Sequence, residues 1–138
     1  MDNLIKIYCD GGSRGNPGKS ACAFIVEEGG KVSYSEAKYL GIQTNNFAEY
    51  HAVLLALSWI AENKFSLNKE ILFILDSELV VKQINGLYKT KNLKLKKVNE
   101  GIKIILEKIS NKVVFKNVPR ENNKKADFLV NQKLDSIA

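Results

Sequence analysis

Between residues 45 and 59 the chain places apolar side chains on more than one side of a helical wheel. Ala48, Ala52, Leu55 and Trp59 recur at helical spacing, and so do Tyr50, Val53, Leu54 and Leu57. A helix this apolar has to be covered by other elements over much of its circumference. Three strand-like runs precede it. Residues 4–9 form a short apolar run ending in Asp10-Gly11-Gly12, a mostly buried strand leaving into a turn, and residues 14–18 read as a rigid loop. Residues 21–28 read as a second strand, Gly29-Gly30 as a hairpin turn, and residues 32–40 as a third strand with Val32, Tyr34 and Glu36 on one face. After the helix, residues 71–75 are an apolar run of strand length and residues 79–84 restart as a helix. From Leu95, the residues Val98, Ile102, Ile105 and Ile109 mark an amphipathic helix with one buried stripe. A fifth strand over 112–118 is broken by Pro119, and a last helix carries Ala126, Leu129, Val130 and Leu134.

Hairpins make the first three strands antiparallel, and a strand that returns through a helix makes a parallel neighbour. The predicted fold is therefore α/β: a mixed five-stranded sheet, three antiparallel strands then two parallel, with helices on both faces. At 138 residues and 45% hydrophobic content, one domain spanning 1–138 can bury a sizeable core.

Four acids fall where this chain changes secondary structure: Asp10 at a strand end, Glu49 in the opening of the central helix, Asp76 after another strand, and Asp127 opening the last helix. Taken singly, each has a structural explanation as a turn former or first-turn helix acid. Together, strand ends and helix starts converge at one edge of a sheet. Carboxylates within about 4 Å repel by roughly 4 kcal/mol per pair at an effective dielectric near 20, so such a cluster needs protons or cations. Oxygen ligands without cysteine or clustered histidine select Mg²⁺ or Mn²⁺ over zinc. Two such ions activate a water and stabilise the leaving oxygen in phosphodiester cleavage.

Charge supplies a partner. Lysine and arginine number 21 against 15 acids, a net charge of +6, and between Glu78 and Glu100 there is no acid at all. That interval holds Lys82, Lys89, Lys91, Lys94, Lys96 and Lys97, a place for a polyanion such as nucleic acid, although a solvated lysine-rich face would look the same. The opening residues have no basic segment followed by a long apolar stretch, and no apolar run approaches the roughly 20 residues of a membrane span. A cytoplasmic monomer without a membrane partner is expected, with Cys9 and Cys22 as buried thiols.

The segments DGGSRGNPG (10–18), TNNFAEY (44–50), DSELVVKQ (76–83) and NNKKAD (122–127) resemble, in order and spacing, the signature blocks of ribonuclease H type 1, in its compact, protrusion-poor form. The resemblance implies that Asp10, Glu49, Asp76 and Asp127 are the catalytic acids and bind two Mg²⁺ ions, with Mn²⁺ as a substitute. It implies cleavage of the RNA strand of an RNA–DNA hybrid, leaving a 3′-hydroxyl and a 5′-phosphate. Gly11, Gly12 and Ser13 leave backbone open beside Asp10, where main-chain groups could read a ribose 2′-hydroxyl. Asn16 and Asn45 match family positions that contact substrate in the minor groove. Thr44 and Asn46 match positions that hold the DNA strand, with Thr44 at a phosphate pocket, a task suited to hydroxyl and amide donors. Lys89 and Lys91 occupy the place of a basic protrusion that grips the hybrid. The segment is short here, so a weaker, salt-sensitive grip is expected. Trp59 is read as core.

Two departures stand out. The loop over 119–125 lacks the histidine many members carry, and His51 lies about 200° around the helix from Glu49. Arg120 stays protonated and could hold a phosphate, whereas Glu121 could serve as a mobile acid. Glu78 stands where the family has glutamine, which puts its RNA contact in question. Asn123, four residues before Asp127, is expected to fix the loop. Two rival readings stay open: a non-catalytic nucleic-acid-binding module with this fold, and a broader nuclease that also cuts double-stranded RNA.

Overall fold

The computed structural model describes residues 3–63, 65 and 69–137. Three long strands come first: β1 (Leu4–Arg14), β2 (Gly18–Glu28) and β3 (Lys31–Gln43). They form an antiparallel meander, and the β2–β3 turn is Gly29-Gly30, both with positive φ (58° and 77°), the conformation a two-residue hairpin requires. Helix α1 (Asn45–Asn63) follows, then β4 (Glu70–Leu75), α2 (Glu78–Ile84), α3 (Leu93–Lys108), β5 (Val113–Asn117), a single 3₁₀ turn (Arg120–Asn122) and α4 (Lys124–Asp135). The sheet order is β3-β2-β1-β4-β5, with β4 parallel to both β1 and β5. This is the mixed sheet expected from the order of periodicities.

Strand alternation divides the core between the two faces. Ile5, Ile7 and Cys9 of β1 and Cys22, Phe24 and Val26 of β2 point to one side, where α1 buries Tyr50, Val53, Ala56, Leu57 and Ile60 against them. Ala21 and Ala23, the intervening residues of β2, point to the other side and meet Val130 and Leu134 of α4. Small residues there let α4 lie close to the sheet. Helix α3 covers the outer side of α1, as the all-round apolar character of α1 demands. Trp59 packs against the α1-side core and stacks on Tyr34 with ring centroids 4.7 Å apart. Cys9 and Cys22 are both buried and unpaired.

Capping chemistry sets the helix starts. Thr44 Oγ1 accepts a hydrogen bond from Phe47 N at 3.1 Å, Ser77 Oγ from Val80 N at 3.2 Å, and Asn92 Oδ1 from the amides of Lys94 and Leu95. Each cap stops the preceding segment and fixes where the next helix begins.

Strand boundaries shift by a few residues from the sequence reading, with β2 starting at Gly18 and β3 running to Gln43, and the largest shift is at β1. Asp10 does not end β1: the strand runs four residues further, with Gly11, Gly12, Ser13 and Arg14 paired to Cys22, Ala21, Ser20 and Lys19. Glycines broke the local strand pattern, but the ladder offered by β2 satisfies their backbone groups and carries the strand on.

Candidate active site

The site forms where α1 crosses β1. Gly11 is buried, and a Cβ built on it would lie 2.2 Å from the carbonyl carbon of Ala48 and 2.5 Å from Glu49 N. Only a residue without a side chain lets the helix backbone approach this closely. That contact brings Glu49, the fifth residue of α1, beside Asp10. Asp76 follows directly on β4, the parallel neighbour of β1, and Asp127 sits in the first turn of α4. Four elements thus deliver one carboxylate each to a cavity of 280 Å³ that is also lined by Gly11, Gly12, Ser13, Asn45, Arg14, Arg120 and Asn131.

Carboxylate oxygens of Asp10, Glu49 and Asp76 all lie within 4.8 Å of one another. Burial, and then the charges of Asp76 and Asp127, push the Asp10 carboxyl up from 3.8 to about 8. Glu49 is pushed from 4.5 to about 9 by burial and then by Asp10 and Asp76, against the Arg120 guanidinium, which pulls it down. Asp76 is also raised, by burial first, while Arg120 and the Asn123 amide oppose the shift. Asp127 adds to the rise of the Asp10 carboxyl through its charge and its side-chain contact.

Glu49 Oε2 is buried with no hydrogen-bond partner among the described residues. An orphaned carboxylate oxygen in a cluster of acids calls for a cation, and the all-oxygen donor set suits a hard divalent one. The residues present therefore fit Mg²⁺ or Mn²⁺, with Asp10, Glu49 and Asp76 as the compact ligand set and Asp127 at its margin.

Around the acids the asparagines form a brace. Asn45 Oδ1 accepts from Ser13 N at 2.8 Å and from Ser13 Oγ at 3.1 Å, and Asn16 Oδ1 accepts from Asn45 N at 3.0 Å. Their side-chain oxygens join β1 and the turn after it to α1, and their NH₂ ends supply donors. Asn123, 1% exposed, donates to the Cys9 carbonyl at 2.8 Å and ties the turn before α4 to β1, the anchoring role expected of it.

The remaining candidates divide by position. Arg120 lines the acidic cavity, whereas Glu121 lines a separate one with Tyr8, Glu27 and Lys125, so the adjacent acid does not reach the cluster. Glu78 turns to Lys82, 2.5 Å away, one turn along the exposed side of α2. Thr44 borders a smaller cavity with Phe47, Asn92 and Lys94, while Asn46 lies in the first turn of α1. Lys89 lines a groove with Thr90, Lys96 and Lys103, and Lys91 is exposed on the same loop. His51 sits beside Phe47, outside the acidic cavity, and its basicity is lowered by burial and by Lys38. Two residues that line the cavity were not singled out from sequence, Arg14 and Asn131. Asn131 is four residues beyond Asp127, a spacing that marks it as a neighbour on a helix.

A family model described as "Reverse transcriptase-like" matches residues 8–133. The chain is 34% identical over 132 residues to ribonuclease HI of Halobacterium salinarum, covering 95% of this chain and 64% of that protein. It is 31% identical over 136 residues to the bifunctional protein Rv2228c of Mycobacterium tuberculosis, covering 97% of this chain and 36% of the relative. The chain thus spans less than two thirds of the length of either. Among solved structures, LC11-RNase H1 in complex with an RNA/DNA hybrid superimposes with a TM-score of 0.88 at 37% identity, covering 93% of this chain and 94% of that one.

Proposed function

The chain belongs to the ribonuclease H type 1 family, and from that membership we propose that it is a metal-dependent endoribonuclease that hydrolyses the RNA strand of RNA–DNA hybrids. The observation that carries the reading is the cluster of Asp10, Glu49 and Asp76, with one buried carboxylate oxygen left without a partner.

Asp10, Glu49, Asp76 and Asp127 would hold two Mg²⁺ ions, replaceable by Mn²⁺. When bound, the ions neutralise the acids and supply Lewis acidity for in-line attack on the phosphodiester, giving 5′-phosphate and 3′-hydroxyl ends. The raised carboxyls of Asp10 and Glu49 mean that cation binding competes with protons. Arg120, with its planar fork of donors, holds a substrate phosphate at the cavity rim. Ser13 and the NH₂ ends of Asn16 and Asn45 face the minor groove of the hybrid. Gly11 and Gly12 line the cavity with their backbones, and the missing side chain at Gly11 also admits the crossing of α1. Thr44, its hydroxyl oxygen occupied as a helix cap, offers its hydrogen to a phosphate of the DNA strand, and Lys94 stands in the same cavity. Asn46, Lys89 and Lys91 extend that contact along the DNA. Glu78, paired with Lys82, contributes no contact to the RNA.

The test is cleavage of labelled RNA–DNA hybrid, double-stranded RNA and double-stranded DNA, each with Mg²⁺, Mn²⁺ or chelator. We expect the hybrid to be cut with either metal and to survive in chelator or with Asp10→Asn. Hybrid bound but uncut under all conditions would identify a binding module instead. Equal cleavage of double-stranded RNA would widen the substrate class.

A further inference from the structure

The compact carboxylate cluster holds Asp10, Glu49 and Asp76 and leaves Asp127 outside it. Its anchor comes from its own helix. Asp127, Asn131 and Asp135 are spaced i, i+4, i+8 on α4 and form one stripe, since four residues advance a helix by only about 40° beyond a full turn. Asn131 Nδ2 donates to Asp127 Oδ1 at 3.3 Å and to the Asp127 carbonyl at 3.0 Å. At the other end, Arg14 Nη2 donates to Asn131 Oδ1 and to the Asn131 carbonyl, each at 3.4 Å, and pairs with Asp135 Oδ1 at 2.6 Å. Arg14 lies on β1, four residues beyond Asp10.

The orientation of the Asn131 amide follows from this chemistry. Arginine has donors only and a carboxylate accepts only, so the carbonyl end must face Arg14 and the NH₂ end must face Asp127. We propose that Asn131 is a positioning residue for Asp127: its amide occupies Oδ1, leaves Oδ2 to turn toward the cluster, and is held in that sense by Arg14. This rests on the nuclease reading, in which Asp127 is a cation ligand. A residue that only back-bonds to its own helix would have the 3.0 Å contact to the carbonyl without these consequences.

The test compares the wild-type chain with Asn131→Leu and Asn131→Gln. Mn²⁺ binding without nucleic acid is read from the EPR signal of the free ion, kcat and KM from hybrid cleavage, and folding from the thermal midpoint. Removing a residue that orients a metal ligand costs about 10- to 100-fold in metal affinity or activity. We expect Asn131→Leu to weaken Mn²⁺ binding and lower kcat about 10-fold, with KM within twofold and the midpoint within about 3 °C of wild type. Gln also reaches a carboxylate one helical turn back, so Asn131→Gln recovers most of the loss. The inference is overturned by unchanged Mn²⁺ affinity in Asn131→Leu, by a rise in KM alone, by a loss that tracks the thermal midpoint, by failure of Gln to do better than Leu, or by a wild type that binds no Mn²⁺. A wild type that binds Mn²⁺ but leaves the hybrid intact defeats the nuclease reading, and the Mn²⁺ titration then decides the role of Asn131 alone.

Discussion

Replacing Asp10 by Asn is expected to stabilise the metal-free protein, increasingly so as pH rises. Asp10 is 6% exposed, and its carboxyl is pushed from 3.8 to about 8, by burial first and by Asp76 and Asp127 next. In the unfolded chain it ionises near pH 4. Between about pH 4 and 8 the folded state therefore holds a proton that the unfolded state releases, and stability falls with pH across that window. The contribution of the protonated carboxyl is complete below pH 4 and is lost as pH passes 8. One pKa unit corresponds to about 1.4 kcal/mol, so a shift of about four units sets a ceiling near 6 kcal/mol at high pH. Because neighbouring acids share the strain, a single replacement should recover about 2 to 4 kcal/mol at pH 8.5 and little at pH 5. Asn keeps an oxygen for the Gly11 amide, so local geometry is retained. Urea unfolding in chelator from pH 5 to 8.5 measures the difference, and millimolar Mg²⁺ should return stability to the wild type alone. An Asp10→Asn protein less stable than wild type at pH 8.5 in chelator, or a pH-independent difference, would refute the reasoning.

Gly11→Ala should destabilise by about 3 kcal/mol or more, because its Cβ would stand 2.2 Å from the backbone of Ala48, whereas at Gly12 the nearest atom is 3.7 Å away and Ala should cost little. Urea midpoints of the two variants check the contrast, and Gly11→Ala should also lose nuclease activity by displacing Glu49. Lys89→Ala and Lys91→Ala should leave kcat unchanged and weaken hybrid binding, each flattening the slope of log affinity against log salt by up to about one, as measured by anisotropy of labelled hybrid in chelator.

The topology was legible because apolar periodicity changes from two to helical spacing at residue 44 and back at residue 70, and each change coincides with a cap or turn residue. The acids were legible because each interrupts an apolar context where a charge has no packing value. The continuation of β1 to Arg14 was not, since it depends on a ladder with β2 that local glycines argue against. The choice between Arg120 and Glu121 was hidden for a similar reason. The two sit side by side in one 3₁₀ turn, where successive residues point about 120° apart, so local pattern does not say which one meets the acids. Their separation into different cavities is decided by how the turn docks through Asn123 on the Cys9 carbonyl.

Gly11 was the residue whose meaning widened most. From sequence it was open backbone beside Asp10; it does line the acidic cavity, and the space a side chain there would need is taken by the backbone of Ala48 and Glu49. The same close approach that completes the acid cluster removes solvent from Asp10, and it is that burial, more than any neighbouring charge, which raises its carboxyl. Packing and charge are therefore opposed at this point: tighter crossing of α1 over β1 improves the core and worsens the electrostatics. Only two guanidinium groups, Arg14 and Arg120, line the cavity among the described residues, and Arg14 is engaged by Asp135 outside the four acids. Fully ionised, as cation binding requires, the four acids exceed the arginine charge by two to three. One divalent cation nearly cancels that surplus, and a second would reverse it unless a phosphodiester arrived too. Under the proposed function, a site balanced this way would load cations fully only beside a polyanion, and the stability of the crossing would follow that loading.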